Sequence, residues 1–199
     1  GDDPEKDSSS EQAESYQDLT IPGSKDLSLD FGFIPQVKIG DFVWFDTNKD
    51  GIQDAGEPGI SDVVLTVLGP DGKPAVDIWG NTIESVKTNS DGSYLFEHLP
   101  VLKDGEKYTV AIDRDATIKI NDKFANYGPT TSNAGGRDVD SDEWKASSEG
   151  LTTAGDEDLT LDFGFITPEP VVDIEKFDEN GNDADTADES VPLPDGSAK

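Results

Sequence analysis

The segment Leu27-Ser-Leu-Asp-Phe-Gly-Phe-Ile34 returns almost unchanged as Leu159-Thr-Leu-Asp-Phe-Gly-Phe-Ile166. The correspondence runs back without a gap through Asp26 and Asp158, Gly23 and Gly155, Thr20 and Thr152, and Leu19 and Leu151. Agreement over that length is more than shared turn chemistry; one structural unit ends twice, as in a repeat array. Three parts are expected. Residues 1–35 are an acidic, partly disordered tail with the last strand of a preceding repeat, residues 36–167 are one complete repeat, and residues 168–199 are a linker and the start of a following unit.

Within the complete unit the dominant period is two, the signature of strands with one buried face. Val37, Ile39, Val43 and Phe45 alternate with Phe42 and Trp44. Val63, Leu65 and Val67 mark a second strand, Tyr94 and Phe96 a third, and Tyr108, Val110 and Ile112 a fourth. Ile118 and Ile120 suggest a fifth, and Leu159, Leu161, Phe163 and Phe165 form the last. Turn residues separate them at Gly69-Pro-Asp-Gly72, Asn89-Ser-Asp-Gly92 and Lys103-Asp-Gly105. No stretch carries a sustained helical face. The fold class expected is all-β, an antiparallel β-sandwich of immunoglobulin-like size.

Composition narrows the chemistry. The formal net charge is −29, with 44 Asp and Glu against 15 Lys and Arg, the reverse of what phosphate contacts require. Nucleic acid and anionic membrane are therefore excluded as expected partners. The longest apolar run, Phe42 to Phe45, is far too short to span a bilayer. Zero cysteines remove disulfides, thiolate sites and thiol catalysis, and a single histidine removes the commonest zinc ligand. Oxygen ligands are abundant, so the metal this composition suits is a hard cation, calcium above all.

After the first strand comes Asp46-Thr-Asn-Lys-Asp-Gly-Ile-Gln-Asp-Ala-Gly-Glu57, which fits the twelve-residue calcium loop position by position. Asp46, Asn48, Asp50 and Asp54 stand at positions 1, 3, 5 and 9, Gly51 at the sharp turn, and Glu57 at the bidentate position. Ile52, at position 7, would ligate through its carbonyl. Alternate residues of a tight loop point inward, so these carboxylates converge, and like charges that close disfavour joint ionisation unless a cation lies between them. The flanks are strands rather than helices, which points to a static, structural site and not to a sensor. Asp138, Asp140 and Asp142 repeat the i, i+2, i+4 spacing without the glycine or the distal glutamate. Asp178, Asn180 and Asn182 form a third, less regular group. One calcium site is expected, with two or three as the upper count, and the competing reading of each cluster is a solvated acidic turn.

The run Ile39-Gly-Asp-Phe-Val-Trp-Phe45 with its calcium loop, then Asp91-Gly-Ser-Tyr-Leu-Phe-Glu-His-Leu-Pro100, Lys107-Tyr-Thr-Val110 and Leu161-Asp-Phe-Gly-Phe165, resembles the B-type repeat of serine-aspartate repeat surface adhesins. The resemblance covers essentially all of residues 36–166. It implies a collagen-adhesin B type sandwich, calcium in EF-hand-like loops, and a rigid spacer that projects an adhesive domain from a bacterial surface. It also implies an extracellular or cell-surface location, neighbouring repeats as contacts, and a host or surface ligand gripped by another domain. Asp46, Asn48, Asp50, Asp54 and Glu57 match the family's calcium loop, and Asp138, Asp140 and Asp142 fall where it carries a second acidic loop. No serine-aspartate run is present, and the segment from Val171 to Lys176 is patterned differently.

Catalysis is not expected. His98 falls at a strand end without a nucleophile motif to serve, and no carboxyl stands in an apolar cleft as a glycosidase acid would. Related B-type domains can join a lysine to an aspartate across strands. Lys38 and Asp162 are the pair to consider, but alternation places Lys38 outside the core. The competing function is a binding module, for carbohydrate or a protein, built on the loop aromatics Trp79 and Trp144. Exposure of both on one surface would favour it, and burial of both would favour a spacer.

Overall fold

The computed structural model describes residues 31–168, with 15, 19–27 and 29. The chain divides into residues 1–167 and 168–199, and the sandwich belongs to the first of these units. Among the described residues nine strands form two sheets: β1 (Gln36–Phe45), β2 (Val64–Leu68), β3 (Val86–Lys87), β4 (Ser93–Pro100), β5 (Thr109–Ile112), β6 (Gly128–Pro129), β7 (Lys145–Ser147), β8 (Glu157–Asp158) and β9 (Phe163–Ile166). One sheet has the order β4-β1-β9-β6 with β8 also on β1, and the other β3-β2-β5-β7. Most pairings are antiparallel, but β1 pairs in parallel with β8 and with β9, through Val43 to Phe163, Trp44 to Gly164 and Phe45 to Phe165. The expected all-β sandwich is what forms.

The core between the sheets holds the apolar phase of each strand. Val37, Ile39 and Val43 of β1 meet Leu65 and Val67 of β2, Phe96 and Leu99 of β4, and Val110 of β5 in one buried cluster. Each such side chain contributes about 1.5–3 kcal/mol on leaving water. The three turns read from sequence close as expected, Gly72 N–H donating to Gly69 O, Gly92 N–H to Asn89 O, and Glu106 N–H to Lys103 O.

One strand expected from sequence is a helix. Ile118 and Ile120 lie in α1 (Arg114–Ile120), followed by a 3₁₀ turn at Asp122–Asn126. The Asp113 carboxylate caps the helix by accepting from Ala116 N–H. Thr117 is the inward residue, its hydroxyl accepting from Val64 N–H while donating to Asp113 O. The 3₁₀ turn then drops Phe124 into the core against Phe165, ring centroids 4.9 Å apart. Two isoleucines at i, i+2 fit one side of a strand, but a capped first turn and a satisfied threonine won locally.

Residues 128–142 run along the edge of β9: Gly128–Pro129 pairs with it as β6, Thr130 N–H donates to Gly164 O, Asp142 N–H donates to Asp162 O, and the Ser141 hydroxyl accepts from Gly164 N–H. Trp44 is buried and lies against Gly164, where a Cβ would come within 2.6 Å of the indole and 2.7 Å of Thr130. The sequence echo behaves differently. Phe163 and Phe165 are fully buried, whereas their counterparts Phe31 and Phe33 are 51% and 90% exposed. Gly164→Ala is expected to lower the melting temperature by several degrees, the overpacking cost being about 1–3 kcal/mol. Thermal unfolding followed by tryptophan fluorescence tests this.

Candidate functional site

The acidic loop leaves β1 at Phe45 and returns at Pro58, and its base is clamped. Phe45 N–H donates to Pro58 O at 2.8 Å, Ile60 N–H to Val43 O at 2.8 Å, and Asp46 N–H to Phe165 O at 2.8 Å. The twelve residues between thus form a closed loop seated on the end of the β1–β9 pair. Its far side is tied to the neighbouring acidic segment by Gln53 N–H donating to Val139 O. Gly51 takes φ +79°, and a Cβ there would stand 2.3 Å from Thr131 O, so both conformation and space require glycine.

Within the loop Asn48, Asp50 and Asp54 are exposed and Glu57 is half-buried. Asp46 is buried; its Oδ1 accepts from Lys49 N–H at 2.6 Å, and its Oδ2 from Gly51 N–H at 2.8 Å and from the Thr130 hydroxyl. Asn48 Oδ1 accepts from Asp50 N–H and Asp50 Oδ1 from Ile52 N–H, two successive Asx turns. The Asn48 amide nitrogen donates to Asp50 Oδ2 at 2.9 Å and to Asp54 Oδ2 at 3.0 Å, so positions 3, 5 and 9 meet at one point. Glu57 folds back over the loop, Oε1 accepting from Thr47 N–H at 2.7 Å and Oε2 from Asp54 N–H at 3.2 Å. Ile52 is half-buried. Among the described residues, no three His, Asp or Glu side chains stand together in a chelating arrangement.

The second predicted cluster does not act as one group. Asp138 is exposed, while Asp140 is buried and Asp142 half-buried. Between them the buried Ser141 hydroxyl accepts from Gly164 N–H at 3.0 Å, and Asp142 N–H donates to Asp162 O at 2.9 Å. These bonds lay Asp140 and Asp142 along the last strand. There they join two residues that sequence reading did not include among metal ligands, Asp41 of β1 and Asp162 at the entrance to β9. Asp162 is fully buried, and its Oδ1 accepts from Phe42 N–H at 3.3 Å. Burial, then the nearby Asp41 carboxylate, pushes the Asp162 carboxyl up to about 9. Burial also raises Asp41 and Asp142 to about 6, helped by Asp158 for the first and Asp140 for the second. The sequence signal was available in the echo, where the Leu-Asp-Phe-Gly-Phe run keeps its aspartate in both copies.

Arg137 is the cation beside this group, and its hydrogen bonds go to Asp158, Thr160 and the Ser147 carbonyl. Lys38 Nζ pairs with Glu157 at 3.2 Å while Asp162 bonds Phe42 N–H, so the two candidates for a covalent cross-link have separate partners. His98 sits on β4 with Nδ1 2.8 Å from Gln36 Oε1 and its ring against Trp79. Trp79 is 62% exposed, whereas Trp144 is half-buried against Phe124 and Phe165. The two indoles have different neighbours and different exposure. Asp178, Asn180 and Asn182, with the following unit, lie outside the described residues.

The electrostatics set a pH dependence. The unfolded chain releases the Asp162 proton near its ordinary value of 3.8, whereas the folded chain holds it to about 9. The raised group therefore contributes stability that is complete below pH ~4 and is lost as the pH rises toward 9. Asp41 and Asp142 act with the same sign between their ordinary values and about 6. In chelator, the melting temperature of Asp162→Asn relative to the unsubstituted chain is expected to be higher at pH 8.5 than at pH 5. A difference independent of pH would contradict this assignment.

The SdrD B-like domain family model matches residues 37–165. Serine-aspartate repeat-containing protein E of Staphylococcus aureus (strain MSSA476) is 39% identical over 153 residues, 74% of this chain and 11% of that protein. The bone sialoprotein-binding protein of Staphylococcus aureus (strain MRSA252) shows the same identity and coverage. The chain thus spans about a tenth of the length of these relatives. Among solved structures, the shaft pilin SpaA from Lactobacillus rhamnosus GG aligns over 69% of this chain and 51% of its own, with TM-score 0.32 and 11% identity. Taken with the sheet order and the match across nearly all of the sandwich, residues 37–165 make this chain a member of the SdrD B-like domain family.

Proposed function

We propose that this chain is a calcium-rigidified spacer repeat of an extracellular bacterial surface protein, with a mechanical rather than catalytic role. The observation that carries the reading is the loop Asp46–Glu57, with its base clamped to the sheet and its position 3, 5 and 9 side chains meeting within 3.0 Å. The donor set fits the ion: every candidate ligand is a hard oxygen donor or, in Asn48, an amide that carries one. Asp46, Asn48, Asp50, Asp54, Glu57 and the Ile52 carbonyl would hold it. Calcium would supply positive charge to a loop that otherwise concentrates carboxylates, and would cross-link the end of β1 to the chain entering β2. With no cysteine in the sequence, an ion that binds only the folded state takes the place of a disulfide and stabilises by mass action.

The exposed echo supports the repeat reading. Residues 31–34 cannot occupy the β9 position of their own sandwich, because Pro35 alone separates them from β1 and a parallel pairing needs a crossover of a dozen or more residues. They fit instead as the closing strand of a neighbouring sandwich. A junction of one proline between one body's last strand and the next body's first is short and stiff, as a stalk requires. Trp79, its ring tilted against His98 and open to solvent, supports a second reading, a ligand-contacting surface on the β4 side.

The test is thermal unfolding in millimolar calcium and in excess chelator. A melting temperature higher by many degrees in calcium, not reproduced by magnesium, is expected. Asp50→Ala or Glu57→Ala should remove most of the calcium-dependent part. Asp91→Ala, in a turn where the carboxylate bonds Ser93, should leave it intact. Equal effects of all three would overturn the loop assignment.

A further inference from the structure

We propose that residues 19–34 are a donor strand for a second copy of this chain, filling the seat between β1 and β6 that β9 occupies in the receiving copy. The echo matches that seat in shape as well as in sequence. Ser24 N–H donates to Ile21 O at 3.0 Å, and at the corresponding positions Asp156 N–H donates to Thr153 O at 3.1 Å. Gly23 takes φ +91° and Gly155 φ +88°, so the same left-handed glycine turn leads into both segments. What differs is cover. Leu27, Phe31, Phe33 and Ile34 are all exposed, a run of large apolar side chains in water on a strongly acidic chain. Adding such a segment to a sheet satisfies main-chain bonds and buries alternate side chains.

The seat reads the echo residue by residue. β9 pairs Phe163 with Val43, Gly164 with Trp44 and Phe165 with Phe45, and Ile166 with Gly128 of β6. The matched sequence brings Phe31, Gly32, Phe33 and Ile34 to those positions. Gly32 is decisive, because the Trp44 indole leaves no room for a Cβ there. Arg137, which holds the entry to β9 through Asp158 and Thr160, would meet Asp26 and Ser28 instead, a carboxylate and a hydroxyl again. The Lys38–Glu157 ion pair does not carry over, since Lys25 stands at the second position; both side chains of that pair are partly exposed, so the cost is small. Exchange has a direction. The donor would end at the acidic-loop end of the receiving body and, after Pro35, open β1 of its own, so two copies join head to tail and neither donates back to the other. Such a contact does not close a dimer but adds copies in line. Against it stands the receiving copy's own β9, whose tether gives an effective concentration on the order of millimolar. The exchanged form therefore belongs to concentrated chains, or to a copy whose own closing strand fits poorly. The proposal rests on the repeat reading and not on calcium.

Gly164→Ala supplies such a copy, because the added methyl meets Trp44 in the chain's own β9 while the echo keeps Gly32. After unfolding and slow refolding of the whole chain, size-exclusion chromatography with light scattering is expected to show a ladder of oligomers for Gly164→Ala at concentrations about tenfold or more below those the unsubstituted chain requires. Adding Phe33→Asp, at a side chain exposed in the monomer, should remove the ladder and leave the melting temperature of Gly164→Ala unchanged. A labelled peptide of residues 19–35 should bind Gly164→Ala and raise its melting temperature, or restore a cooperative transition if that variant alone is unfolded. A ladder that survives Phe33→Asp overturns the proposal, since the chains then associate through another surface. Peptide capture without any ladder overturns exchange between copies and leaves residues 19–34 as the closing strand of a preceding repeat. With neither capture nor ladder, both readings of the echo fall.

Discussion

The structure depends on the parallel pairing of β1 with β9. A chain that begins a sandwich with β1 and ends it with β9 must bring its two ends side by side, and every other pairing is made inside that closure. Trp44 over Gly164 is its tightest point, with no room for a Cβ between indole and backbone. Phe163 and Phe165 face the core, while Asp162 and Gly164 on the other face are also buried, Gly164 beneath Trp44 and Thr130, so β9 is buried on both sides. The acidic loop and the buried carboxylates lie along this seam. Asp46 N–H is bonded to Phe165 O, and Asp142 N–H to Asp162 O, so each acidic group is anchored to the strand that completes the fold.

Much of this was legible in the sequence because its signals are local. Alternation found the core strands, and asparagine or aspartate with glycine found the turns. Twelve-position spacing found the loop, whose successive Asx turns follow from its residue types alone. What was not legible depended on contacts distant in sequence. Ile118 and Ile120 read as strand, since the bonds of Thr117 to Val64 and Asp113 reach beyond the pattern that alternation measures. Trp79 and Trp144 looked equivalent as loop aromatics, and only the 3₁₀ turn carrying Phe124 makes a pocket wall for one of them. Asp162 sits in the phase that should face water, whereas Asp41 shares the phase of Val37, Ile39 and Val43, and period two gives no sign of the distant bonds that bring the two strands' aspartates together.

A net charge of −29 makes the placement of these aspartates informative. A chain so acidic can keep its carboxylates in water, where they bear no desolvation penalty, and most of the described ones are there. Two groups depart from that pattern. In the loop, backbone N–H donors neutralise the departure: Asp46 and Glu57 each accept from two amides, and Asn48 bridges Asp50 and Asp54. Along β9 there are too few donors, and burial raises Asp162 to about 9. Protonation of that kind is the ordinary response of a buried acid without a counter-charge. A fold under no other demand would be more stable with asparagine or leucine there, since a neutral or apolar residue of similar volume removes the desolvation penalty.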